Sequence, residues 1–156
     1  MSLVSVGQPI PDFTAHSTQG EVSPQALKGR WAVLYFYPKD NTPGCTTEAQ
    51  DSRDNYKDFL AAECTVIGVS RDSLKSHIGF AEKQELPFPL IADPEETLCT
   101  LFDVIKMKNM YGKQVRGIER STFLIDPEGK LVQEWRKLRV PGHVQAVLQA
   151  LHDHAE

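Results

Sequence analysis

Cys45 directly follows Thr42-Pro43-Gly44, precedes Thr46-Thr47-Glu48, and lies just beyond the apolar run Trp31-Ala-Val-Leu-Tyr-Phe-Tyr37. That order reads as a strand, a short loop, and a cysteine in the first turn of a helix whose Ala49, Tyr56, Phe59 and Leu60 share one face. Backbone N–H groups without intrahelical partners and the positive end of the helix dipole stabilise a thiolate at such a position. Thr42 stands where a C-x-x-C redox pair has its first cysteine, so Cys45 cannot close a disulfide within its own motif. The chemistry left to it is attack on something small and electrophilic.

The neighbouring residue types suit displacement at a peroxide oxygen. The Thr42 hydroxyl lies one turn before the thiol and can hydrogen-bond a polar substrate atom; it can also serve as an N-cap, with Pro43 at the first helical position. Gly44 leaves room for a small molecule to approach the backbone N–H groups, and Pro38 either walls off water or simply ends the strand. In such a site the thiolate attacks, the O–O bond breaks, and surrounding donors stabilise the charge on the departing oxygen.

The elements that must hold these residues follow from pattern. Phe13 to Ser17 and Glu21 to Ser23 form a short hairpin through Gln19-Gly20. Trp31 to Tyr37 is a central strand, and one helix runs from about Gly44 to Ala62. Thr65 to Ser70 is a second buried strand; Ser73 caps a helix in which Leu74, His77, Ile78 and Ala81 recur at helical spacing. Phe88 to Ala92 is a short strand, ended by a helix start at Asp93-Pro94-Glu95-Glu96. Phe102 through Glu119 shows no clear period and makes an unusually long connection. Ser121 to Ile125 and Leu131 to Arg136 form a hairpin around Asp126-Pro-Glu-Gly129, and a last helix after Pro141 presents Val144, Val147, Leu148 and Leu151 on one face. The order predicts an α/β chain of thioredoxin-like layout, with an N-terminal hairpin and a central mixed sheet covered by helices on both faces. In that layout the end of the first central strand carries the site.

Composition narrows the function classes. The 156 residues are expected to form a single domain over 1–156, and a hydrophobic share of 40% with 24% charged residues is ordinary for a soluble protein. The net charge of −4, with no dense basic cluster, argues against nucleic-acid binding. No apolar run is long enough to span a membrane, and Met1 to Ile10 lacks the pattern of a signal peptide. Three irregularly spaced cysteines, Cys45, Cys64 and Cys99, make neither a disulfide framework nor a zinc site, so the expected compartment is the cytoplasm. The five histidines show no ligand spacing with acids or cysteines; no metal is expected and the chemistry needs no bound cofactor.

Pro-x-x-x-Thr-x-x-Cys, present as Pro38, Thr42 and Cys45, resembles the peroxiredoxin active-site motif. The string Phe-Tyr-Pro-Lys-Asp-Asn-Thr-Pro-Gly-Cys-Thr-Thr-Glu resembles the bacterioferritin comigratory protein, or Q, class. Agreement continues through Gly-Val-Ser-Arg-Asp-Ser73, Phe-Pro-Leu-Ile-Ala-Asp93, Met-Tyr-Gly-Lys113 and Glu-Arg-Ser-Thr-Phe-Leu-Ile-Asp126. The resemblance implies a thiol peroxidase acting on hydrogen peroxide and organic hydroperoxides, with Arg120 as the active-site arginine beside Cys45. It also implies that Glu48 orients that arginine and that the chain is a monomer.

One departure bears on the cycle. Attack on peroxide leaves a sulfenic acid that must be reduced. Many Q-class members carry a resolving cysteine five residues after the nucleophile or in the next helix, and those places here are Gln50 and, by alignment, Ala81. Cys64 and Cys99 remain as resolving candidates, with Cys99 the better placed because its helix can move. A one-cysteine cycle, closed by an external thiol such as thioredoxin, glutaredoxin or glutathione, is the leading expectation. The alternative from another class is a peroxide sensor or thiol-switch binding protein using the same cysteine.

Overall fold

After Trp31, every residue of β3 (Trp31–Phe36) is buried, as expected of a strand covered on both faces. The computed structural model, which describes residues 4–155, places β3 inside a seven-stranded sheet. Met1 to Leu3 of the segment read as lacking a leader lie outside the described residues. The other strands of that sheet are β1 (Ala15–Ser17), β2 (Gly20–Val22), β4 (Cys64–Ser70), β5 (Leu90–Ala92), β8 (Ser121–Ile125) and β9 (Leu131–Arg136). Their order is β2-β1-β5-β4-β3-β8-β9. β3 pairs in parallel with β4 and antiparallel with β8, so the predicted mixed sheet is present.

The strand period of two divides the core. Val33, Tyr35 and Tyr37 face a layer built from α2 (Pro43–Asp54), α3 (Tyr56–Ala61), α4 (Leu74–Gln84) and α6 (His143–Ala155), through Ala49, Phe59, Phe80, Val147 and Leu151. Ala32, Leu34 and Phe36 face the other way, toward Ile10, Phe13, and Leu98 of α5 (Thr97–Leu101). There Phe36, Phe102 and Phe123 pack with ring centroids 4.9–5.5 Å apart. A four-residue helix, α1 (Pro24–Leu27), capped by Ser23, joins β2 to β3 and was not predicted.

Several elements differ from expectation. The helix predicted over 44–62 breaks at Asn55, whose side chain donates to the Asp51 carbonyl at 2.8 Å and competes with the helical ladder. Beyond the break Phe59 is buried but Leu60 is exposed. On α4 the buried residues are His77 and Phe80, while Leu74 and Ile78 face solvent. Asp93-Pro94-Glu95-Glu96 is a turn rather than a helix; Asp93 still caps, accepting from the N–H groups of Leu98 and Cys99. The stretch read as an irregular connection contains a separate two-stranded ribbon, β6 (Ile105–Met110) with β7 (Lys113–Ile118). Tyr111 and Gly112 both take positive φ in its turn, 53° and 80°, as a two-residue hairpin loop with the favoured twist requires. Among the described residues no helix is long and apolar enough to cross a membrane.

The close approach of β3, β4 and β5 depends on Gly68. A Cβ there would stand 2.8 Å from a Leu90 methyl and 2.9 Å from the Tyr35 ring carbon and hydroxyl. Gly68→Ala should therefore cost about 1–3 kcal/mol through overpacking. The expected result is a lower urea midpoint at unchanged slope; an unchanged midpoint would show that Tyr35 swings aside freely.

Candidate active site

The register of β3 with β8 sets the site. Phe36 lies opposite Ser121, so the residue before β8, Arg120, arrives where the chain leaves β3 and enters α2. The Arg120 Nη2 donates to the Cys45 Sγ at 3.2 Å, and its Nη1 donates to the Glu48 Oε1 at 3.0 Å. Cys45 and Glu48 are each 1% exposed, one turn apart on α2, and the arginine side chain is 20% exposed. One guanidinium thus spans a thiol and a carboxylate, the fork geometry that an ammonium cannot supply.

Gly44 is explained by this contact. A Cβ there would fall 2.6 Å from Arg120 Nη2, so the space expected to admit a small molecule is filled by the guanidinium instead. Thr42 is the N-cap residue of α2, but its side chain makes no capping bond. Its hydroxyl donates to the Lys39 carbonyl at 2.8 Å, which leaves its oxygen lone pairs as acceptors. Asn41, just before it, turns the chain at φ 64°, a left-handed conformation that asparagine tolerates better than most residues. Pro38 is half-buried at the start of the same loop.

Burial pushes the Glu48 carboxyl up to about 7, although the Arg120 charge and hydrogen bond oppose it. Its Oε2 is buried without a hydrogen-bond partner. Cys64 and Cys99 are both fully buried free thiols. Burial raises Cys64 to about 12 and, with Asp93 adding to it, raises Cys99 further, so neither carries the thiolate needed for attack. Cys99 packs in the core on the opposite face of the sheet from Cys45. Cys64 pairs with Trp31 at the far end of β3, roughly 20 Å of strand away from the loop that leads to Cys45. Neither resolving candidate is brought to the site. Gln50 bonds Gln84 across α2 and α4, and Ala81 is half-buried on α4.

Behind the loop lies a polar cluster that the sequence reading missed. Asp40, Asp72 and His77, which looked unrelated by spacing, come together, joined by Tyr37, Ser70 and Ser76. The available signal was a histidine recurring with apolar residues on one helix, since a buried histidine must find partners.

The AhpC/TSA family model matches residues 6–134. The chain is 59% identical to peroxiredoxin Bcp of Xanthomonas campestris over 132 residues, covering 85% of this chain and 82% of the relative. It is 51% identical to peroxiredoxin Bcp of Bacillus subtilis over 154 residues, 98% of each. A solved structure of the Xanthomonas campestris bacterioferritin comigratory protein, described for its alkyl peroxide reduction activity, superposes with a TM-score of 0.90 at 51% identity, over 97% of this chain and 100% of that one. The chain belongs to the AhpC/TSA family of peroxiredoxins, within the Bcp or Q class, and has the thioredoxin fold of that class. It is a thiol peroxidase.

Two predictions come from this geometry. Gly44→Ala meets only the end of a flexible side chain, so thermal stability should change little while Arg120 is pushed off the sulfur. Loss of peroxidase rate at near-parental Tm is the expected result; an unaltered rate would show that the guanidinium contact is dispensable. Glu48 holds its proton to about pH 7 when folded, against an ordinary value of 4.5. Between these values the native state keeps a proton that the unfolded state has lost, so stability falls as pH rises, by about 3 kcal/mol in all. Glu48→Gln should remove that fall in urea titrations compared at pH 5 and pH 8; the same fall in both proteins would contradict it.

Proposed function

We propose that Cys45 is the peroxide-attacking nucleophile of a one-cysteine cycle, with Thr42, Arg120 and Pro38 completing the site and Glu48 and Gly44 supporting it. The observation that carries this reading is the Arg120 Nη2 contact to Cys45 Sγ at 3.2 Å in the first turn of α2. A helix N-terminus and a guanidinium together favour the thiolate and aim donors at the oxygens beside it. The sulfur attacks one oxygen of hydrogen peroxide or an organic hydroperoxide. The O–O bond breaks, its electron pair leaves with the second oxygen, and that oxygen takes a proton to depart as water or an alcohol. Cys45 is oxidised by two electrons to a sulfenic acid. Thr42 accepts the hydroperoxide hydrogen with its free lone pairs, and Pro38 covers the sulfur.

Reduction is assigned to an external thiol, namely thioredoxin, glutaredoxin or glutathione. It attacks the sulfenic sulfur, releasing water and forming a mixed disulfide, and a second thiol then frees Cys45. The burial and raised titration of Cys64 and Cys99 support this cycle over an internal disulfide. We assign the whole chain, 1–156, to one domain acting as a monomer.

Cys45→Ser should abolish peroxide consumption in a folded protein, whereas the double variant Cys64→Ser, Cys99→Ser should turn over many equivalents with dithiothreitol or thioredoxin. Substantial activity in Cys45→Ser would sink the nucleophile assignment. A double variant that stalled after one equivalent with thioredoxin, while the parent cycled, would restore an internal resolving cysteine. A parent protein that itself stopped near one equivalent would point to a sensor.

A further inference from the structure

Asp40 lies in the loop between Pro38 and Thr42, yet its side chain turns inward and is 4% exposed. His77, from the first turns of α4, is fully buried beside it. The Asp40 Oδ1 accepts from the Tyr37 hydroxyl at 2.6 Å; its Oδ2 accepts from the Ser76 hydroxyl at 2.8 Å and lies 2.7 Å from His77 Nδ1. On the other side of the ring, His77 Nε2 lies 2.9 Å from the Ile91 carbonyl oxygen of β5. A carbonyl oxygen only accepts, so Nε2 carries a hydrogen. Burial works against charge on Asp40, but hydrogen bonds from His77 and Tyr37 hold its carboxyl below the usual carboxylate range. The 2.7 Å between Nδ1 and the Asp40 Oδ2 is a hydrogen bond that ties the ring to the loop.

We propose that the buried pairing of His77 with Asp40 is the positioning device for the peroxide-binding loop. The ionisable groups that face it are Asp40 from the loop, Tyr37 from the end of β3, and Asp72 from the segment after β4. Asp72 completes the hold on Asp40: its Oδ2 accepts from the Asp40 backbone N–H at 2.9 Å and from the Ser70 hydroxyl at 2.5 Å. Asp40 is therefore fixed by both side chain and backbone, to α4, β5 and the end of β4. Only Asn41, in its left-handed conformation, separates Asp40 from Thr42, so the loop has little slack between this anchor and the start of α2. Each nitrogen of the ring is spent on a bond, and so is each carboxylate oxygen of Asp40, so the cluster acts as a clamp. Neither His77 nor Asp40 contacts the sulfur or the arginine; they act through the placement of Pro38 and Thr42.

The proposal rests on Cys45 as the peroxide nucleophile, and its test has one arm that does not. In the native protein with 15N-labelled histidine, NMR should show a hydrogen on His77 Nε2, the nitrogen facing the Ile91 carbonyl, assigned by the signal lost in His77→Asn. An Nε2 without a hydrogen breaks the link to Ile91 and overturns the clamp whatever Cys45 does. In the kinetic arm, His77→Asn can still offer an amide N–H to Asp40 but cannot also reach Ile91. Misplacement of the loop by an ångström should slow oxidation of Cys45 by hydrogen peroxide about 10–100-fold. Alkylation of Cys45 by iodoacetamide should change far less, because the helix N-terminus and Arg120 are untouched. Equal loss in both reactions would mean that the pair only maintains the fold, and an unchanged peroxide rate would remove it from positioning; either overturns the proposal. Asp40→Asn, which keeps the shape of the side chain, is measured in the same way, so the kinetic arm does not depend on the folding of one variant.

Discussion

The Cys45 thiol, 1% exposed at the start of a helix, is met by a cation, and that cation comes from 75 residues further along the chain. Nothing local to α2 supplies it. Arg120 reaches Cys45 because β8 pairs antiparallel with β3 in a register that places Ser121 opposite Phe36. A slip of one residue would move alternating side chains to the wrong face and carry Arg120 away from α2. The sheet core guards against that slip. Phe123 packs on Phe36 and Phe102 on one face, while Leu124 packs in the helix-covered core on the other. Packing far below the site thus fixes a contact of 3.2 Å at its top.

The same economy governs the buried charges. An isolated carboxylate in a core is strongly disfavoured, and each one near the site is answered differently. Glu48 meets Arg120 with one oxygen and leaves the other unpaired, so burial dominates and raises its titration toward neutrality. Asp40 has all its contacts filled by Tyr37, Ser76 and His77 and goes the opposite way. Two acids close to the same loop therefore behave in opposite senses: at Glu48 burial outweighs the single Arg120 partner, and at Asp40 the hydrogen bonds outweigh burial. The fully answered acid is held through both of its oxygens, whereas the half-answered one is held through Arg120.

The strand–loop–helix unit around Cys45, the parallel pair of β3 and β4, and the β8–β9 hairpin were legible because each carries a strong local pattern. Trp31 to Phe36 is almost wholly apolar, and Asp126-Pro-Glu-Gly129 has turn chemistry. The β6–β7 ribbon was not legible, and the physical reason is solvent. Its Met107, Met110, Tyr111 and Val115 are exposed, so no buried face imposes a period of two. It is tied to the body instead by charges, through Glu96 bonded to both Arg71 and Arg116. Such contacts leave no periodic trace in a sequence. The placement of Arg120 could be anticipated from family resemblance but not from its own neighbourhood, which looks like an ordinary strand edge. Asp40 with His77 lay beyond both routes, since their partnership is set by how α4 crosses the loop.

The two remaining cysteines show why the environment of a thiol matters more than its presence. Cys64 and Cys99 have the same chemistry as Cys45 in isolation, and all three are buried. Cys99 even follows the turn into a short helix, but there the nearby charge is the Asp93 carboxylate, which caps that helix and disfavours a second anion. Cys64 begins a strand, and burial raises its titration although the Arg30 charge works against it. Among the described residues, Cys45 alone joins a place in the first turn of a helix to a hydrogen bond from a guanidinium on its sulfur. The two other thiols lie away from it, Cys99 on the far side of the sheet and Cys64 at the far end of β3.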